Sequence, residues 1–182
     1  MEDNKRTLFR IKAISKGLGM EGMYILILKE YYGDMLFPLP ISKEMQEVFM
    51  AQLHVQPYAA KNILSVFRQI NNVTGIIIKD VTITHVVNGA FIAKIGINNN
   101  GEESQLTCDA PSALLIALYN RVSIYISNEL LVHDFSRADK DSFTLPIKSL
   151  DSKFIQEALS DAIHNEQYEL ATLLRDELKK RS

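Results

Sequence analysis

Hydrophobic positions along this chain follow two rhythms, and the switches between them predict its elements. LFRIKAIS and MYILILKE have the aliphatic, β-branched density of strands, with the glycine-rich KGLGMEG between them as a turn. Tyr24 to Leu28 is an unbroken apolar run, as expected of a strand covered on both faces. MLFPLPIS is extended, because Pro38 and Pro40 exclude a helix and push the residues before them toward β or polyproline geometry. KEMQEVFMAQL then changes to helical spacing through Met45, Val48, Phe49 and Leu53. AAKNILSVFRQI repeats it through Ile63, Leu64, Phe67 and Ile70.

GIIIKDVTITHVV, AFIAKIGIN and ESQLTCD predict a three-stranded meander, turned at Asn88-Gly89 and again within NNNGE. Pro111 stands where a helix can begin without losing a needed N–H. From Ser112 to Tyr119 the sequence is apolar nearly all round, so that helix should be buried. VSIYIS returns as a last strand. HDFSRADKDSFTLPIKS, 133–149, reads as a polar linker with room for a short strand from Phe143 to Ile147.

Everything beyond is helical in character. Phe154, Ile155, Ala158, Leu159, Ala162 and Ile163 share one face before a break near His164-Asn165-Glu166. Tyr168, Ala171, Leu174 and Leu178 share a face after it. Asp151 or Ser152 can cap the first helix, while Lys179, Lys180 and Arg181 suit the negative end of the second. Two short helices cannot bury such stripes alone, so they must pack on each other and then on a partner or a second copy. Strands and helices come in runs rather than in strict alternation. The expected class is therefore α+β: a mixed, largely antiparallel sheet with packed helices, plus a C-terminal α-helical hairpin. The expected division is a domain over 1–132, a linker over 133–149 and the hairpin over 150–182.

Charge changes this picture only locally. The formal net charge is -2, so binding to nucleic acid or to an anionic membrane would have to rest on a patch. Lys5, Arg6, Arg10, Lys12 and Lys16 do crowd the first sixteen residues against only Glu2 and Asp3; a solvated strand face is the simpler reading, a phosphate-binding track the other. Cys108 is the only cysteine, which excludes an internal disulfide and a thiolate-rich zinc cluster. MEDNKRTLFRIK lacks the apolar segment of a signal peptide, and no stretch is apolar for membrane-spanning length. A cytoplasmic protein without a membrane partner is expected.

Two resemblances add function. Glu166, Tyr168-Glu169, Ala171 and Leu174-Arg175-Asp176-Glu177-Leu178 resemble the UVR motif, a helical hairpin known from a nucleotide-excision-repair helicase subunit and from bacterial stress regulators. That resemblance implies protein–protein contact through Tyr168, Glu169, Leu174, Arg175, Asp176 and Glu177. Upstream, YILILKE with LFPLPIS, Lys79-Asp80-Val81 with AFIAKIGI, and above all Pro111-Ser112, Val122 to Ser127 and Glu129-Leu130-Leu131 resemble the bifunctional nuclease family. Membership implies cleavage of DNA and RNA and a homodimer.

Phosphodiester hydrolysis needs charge stabilisation on the phosphate and an activated water, usually from carboxylate-bound Mg²⁺ or Mn²⁺. Here the chain departs from the family. Where the family reads Arg-Pro-Ser-Asp-Ala, this sequence has Ala110-Pro111-Ser112-Ala113-Leu114; a Thr-His-Asp run faces Ala59-Ala60-Lys61. The family's glutamate after its "LPI" strand falls on Met45, or on Glu44 with a one-residue slip. The remaining catalytic candidates are Asp109, Glu44 and Ser112. Asp109 is a helix cap or a metal ligand: its offset from the family's acid position, Cys108, would turn it to the opposite strand face. His54, His85, His133 and His164 are scattered, and Asp80 reads as a turn or bulge residue. Two functions follow: a nuclease with a partner-binding hairpin, or a catalytically degenerate dimeric scaffold that recruits a DNA-repair or stress-response partner.

Overall fold

In the computed structural model, residues 5–16, 23–53, 63–134 and 152–181 are described. Strands β1 (Arg6–Lys16), β2 (Met23–Glu30) and β3 (Leu36–Ser42) come first, then helices α1 (Lys43–Leu53) and α2 (Ile63–Thr74). The meander β4 (Ile76–Val87), β5 (Ala90–Asn99) and β6 (Glu102–Asp109) leads into α3 (Ala110–Asn120), β7 (Ser123–Ser127) and α4 (Asn128–Asp134). α5 (Ser152–His164) and α6 (Tyr168–Arg181) form the hairpin. Residues 17–22 of the KGLGMEG turn and the segment Ala59-Ala60-Lys61 lie outside the described residues, as do 135–149 of the linker with its short strand. His133 and Asp134, expected in the linker, close α4.

All seven strands join one sheet in the order β3-β2-β1-β7-β4-β5-β6. Only β4 and β7 run parallel; every other pair is antiparallel, so the α+β expectation holds. Pro38 and Pro40 lie on the edge strand β3, where a missing N–H breaks no ladder on the open side. At the β4–β5 turn both Asn88 and Gly89 have positive φ, 50° and 82°, as a two-residue hairpin turn with the right twist demands. Asn100 and Gly101 repeat that arrangement between β5 and β6.

One sheet face carries the core. Phe9, Leu26, Leu28, Phe37, Leu39, Val81, Ile83, Ala93, Ile124 and Ile126 meet Phe49 of α1 and Ala113, Leu114 and Ala117 of α3 in a single cluster. The nearly all-apolar α3 is buried along Ala110, Ala113, Leu114, Leu115 and Ala117, as its composition requires. α2 behaves differently. Its amphipathic spacing predicts a buried stripe through Ile63, Leu64, Phe67 and Ile70. Leu64 is half-buried and Phe67 packs against the core, but Ile63 and Ile70 face outward with Val66 and Val73. The buried residues are Ser65 and Asn71. In α1, likewise, Phe49 is buried while Val48 and Leu53 are exposed. Periodicity finds the stripe, but it cannot say which way the helix turns it.

The hairpin has its own small core. Ile155, Ala158 and Ala162 of α5 meet Ala171 and Leu174 of α6, and Met23 of β2 joins them. Its turn is tight: Glu166 takes φ 57° and Gln167 donates its N–H to the Ala162 carbonyl at 2.8 Å. Ile163 and Tyr168, expected on the apolar faces, are exposed instead.

Candidate functional site

Asp109 closes β6 and opens α3. With φ -63° and ψ 147° it is still extended, and its carboxylate accepts the N–H of Ser112 at 2.9 Å. That is the capping geometry that satisfies a first-turn donor. The alternation of β6 explains its direction. Cys108 pairs with the buried Ala93 and is half-buried on the helix side, whereas Asp109 pairs with Ile92 and is exposed. Burial pushes the Cys108 thiol above its ordinary pKa, the negative charge of Asp109 adds to this, and a hydrogen bond with the Ala113 backbone works against it.

The other two catalytic candidates sit at helix starts as well. Ser112, in the first turn of α3, is half-buried. Glu44, in the first turn of α1, is exposed, and that helix is capped by Ser42, whose Oγ accepts the Met45 N–H at 3.2 Å. So Asp109 and Ser112 are brought together, but by the cap. Among the described residues no three of His, Cys, Asp and Glu converge as metal ligands would. Asp109 already holds a backbone N–H and Glu44 starts a different helix, so these side chains do not form a carboxylate cradle for Mg²⁺ or Mn²⁺. His85 is exposed on β4, its ring nitrogen 2.8 Å from the Thr84 hydroxyl. His164 is exposed at the end of α5. His54 and the side chain of His133 lie outside the described residues.

The face of the sheet opposite α1 and α3 holds a cluster that the linear sequence conceals. Arg6 Nη1 donates to Asp80 Oδ2 and to Thr82 Oγ1, each at 3.1 Å, and its guanidinium lies 4.1 Å from the centre of the Tyr125 ring. Asp80 lies within β4 and pairs with Gly96, next to a register shift that leaves its neighbour Lys79 unpaired in the ladder. Gly96 opposite leaves it room, since a Cβ there would come within 2.8 Å of the Asp80 carboxylate. The separation Arg6 to Asp80 is 74 residues, and only the pairing of β1 and β4 with β7 brings them together.

Farther along the same face, Arg10 sits 5.8 Å from the centre of the Tyr31 ring, which meets Tyr32 edge-on at 4.8 Å. On the helix side, a cleft of about 370 Å³ opens between α2, the start of β4 and the end of α3, lined by Arg68, Asn71, Tyr119 and Arg121 among others. None of Asp109, Glu44 and Ser112 lines it. In the hairpin, Tyr168, Glu169, Arg175 and Asp176 are exposed, Arg175 bonding its neighbour Asp176. Glu177 pairs with Arg181 at 3.0 Å, and Leu174 is wholly inside the hairpin core.

Comparison with protein families decides the affiliation. The bifunctional nuclease domain matches residues 26–138, more than half of the chain. The chain belongs to the bifunctional nuclease domain family. The match runs from β2 beyond α4 and so takes in the Asp109–Ser112 cap, Asp80, Tyr125 and the Tyr31–Tyr32 pair. Arg6 and the hairpin lie outside it. Comparison with curated proteins gives no match. No helix among the described residues is long and apolar enough to cross a membrane.

Proposed function

We propose that this bifunctional nuclease family protein acts on DNA or RNA, cleaving phosphodiester bonds, and that its C-terminal hairpin is a UVR motif that docks a protein partner. The observation that carries the first half is the family match over residues 26–138. The second half rests on the hairpin's two packed helices and its exposed Tyr168, Glu169, Arg175 and Asp176. Asp109, Glu44 and Ser112 are the catalytic candidates of this reading, with Mg²⁺ or Mn²⁺ as the ion to supply. A homodimer belongs to it too: Ile63, Val66, Ile70 and Val73 leave an exposed apolar stripe on α2 for a second copy to cover.

A specific observation favours the second reading, a catalytically degenerate scaffold: the Asp109 carboxylate is engaged as a helix cap. Purified protein incubated with single-stranded DNA or RNA, with Mg²⁺, Mn²⁺ or chelator, separates the two. Asparagine caps as well as aspartate, so Asp109→Asn keeps the fold and removes only the charge. Asp109→Ala lowers stability by about 1 kcal/mol in a denaturant titration. Chelator-sensitive cleavage that Asp109→Asn abolishes identifies a catalytic carboxylate; cleavage indifferent to it leaves Asp109 a cap. No cleavage with any ion leaves the scaffold reading. For the hairpin, removing residues 150–182 is expected to eliminate a partner recovered by pull-down. An unchanged set of partners would overturn that role.

A further inference from the structure

We infer that the open face of the sheet is a stacking platform for single-stranded nucleic acid, centred on Tyr31, Tyr32 and Arg10 and continued by the Arg6–Tyr125 pair. The inference rests on the nucleic-acid reading above and supplies what that reading lacks, a surface.

The register sets one straight row across five strands. The N–H of Tyr31 bonds the Leu8 carbonyl, Leu8 pairs with Tyr125, Tyr125 with Thr82, Thr82 with Lys94 and Lys94 with Thr107. Paired residues share a face, and this is the face away from the core cluster. Tyr31 and Tyr125 are therefore two strand spacings apart, about 10 Å. Tyr31 is 51% and Tyr32 88% exposed, so both rings are open to solvent. The ring contacts of this pair are with each other and with Arg10, not with the core. A base offers such rings a π-face to stack on, and an arginine guanidinium serves the same purpose.

Charge selects the occupant. Arg6 is matched by Asp80 and Lys29 by Asp34. Arg10 and Lys94 are on the same face and make no ion pair among the described residues, and the exposed Asp109 stands beyond Thr107 at the far end of the row, away from the tyrosines. A surface that combines open aromatic rings with cations left over suits a polyanion whose bases are accessible. A duplex hides its bases in the stack, so a single strand fits the platform and a duplex does not. The β2 end of this face, at Met23, is taken by the hairpin core, so the row from Tyr31 to Thr107 is the part left open.

The test is fluorescence anisotropy with labelled twelve-nucleotide oligo-dT and oligo-U, and a duplex of equal length, in chelator so that cleavage cannot intervene. The wild-type chain is expected to bind both single strands and to prefer them over duplex. Replacing both rings, Tyr31→Ala with Tyr32→Ala, should weaken single-strand binding at least about tenfold with an unchanged melting temperature. Arg10→Gln should reduce the slope of log affinity against log salt by about 0.7, the signature of one lost phosphate contact. Wild-type binding that the double variant matches to within about twofold overturns the platform and leaves the family-level reading intact. No binding of any oligonucleotide by the wild type overturns both.

Discussion

At the scale of single residues, position decides role more than residue type does. Asp109 has the right chemistry for a metal ligand, yet strand alternation and the start of α3 direct its carboxylate onto a backbone N–H. This was legible in sequence, because Pro111 marks the helix start and a one-residue offset from Cys108 marks the face. Cys108 itself holds its proton more tightly folded than unfolded. Its contribution to stability is therefore complete below the unfolded thiol's pKa and is lost as pH rises through the higher folded value. Urea midpoints at about pH 8 and about pH 10 should thus fall more for the wild type than for Cys108→Ala. An equal fall in both would remove the thiol from the account. The charge of Lys79 also changes in alkali, held high first by its hydrogen bond to Glu103, but it is common to both chains.

At the scale of elements, the meander was fully legible because its turns carry their own signal. Asn-Gly and Asn-Gly again take positive φ where strands must reverse. α2 was half legible. Its spacing identified a helix and an apolar stripe, but orientation is a tertiary matter: Phe67 reaches the core while Ile63 and Ile70 of the same stripe stay exposed. The cost appears on the other side, where Asn71 Nδ2 is buried with no hydrogen-bond partner among the described residues. Leaving such a donor unmatched costs about 1–3 kcal/mol. Asn71→Leu, with the adjoining cleft to receive the larger side chain, is expected to raise stability by about 1 kcal/mol, read as a higher urea midpoint at constant slope. A loss of stability would mean that the amide is matched in solution.

At the scale of the whole molecule, the least legible feature is the Arg6 cluster. Five cations near the N-terminus read as one solvated face, and nothing in the linear order marks Arg6 as different from Arg10 or Lys12. Its partners belong to β4 and β7, so the long-range register had to be known first. There Arg6 joins three strands by an ion pair, a hydrogen bond and a ring contact. Arg6→Met keeps much of the apolar stem and removes all three. The expected loss is about 1–2 kcal/mol in a denaturant titration, since the side chains of both Arg6 and Asp80 remain partly exposed. Asp80→Asn in the same background should then add little, because the charge pair is already gone. Fully additive losses would show that Arg6 and Asp80 act independently.

The place of β7 in the sheet has a further consequence. β3-β2-β1 and β4-β5-β6 are each built from neighbours in sequence, and only β7 pairs with a strand of each group. A ribosome releasing this chain from its N-terminus therefore delivers two separate three-stranded leaves before it delivers their spine. Until residue 127 has emerged, neither the Arg6–Asp80 pair nor the tyrosine row has a frame to form on. The chain thus completes its middle last, and a translation product stopped at residue 121 would carry six of the seven strands without the one whose pairing makes them a single sheet.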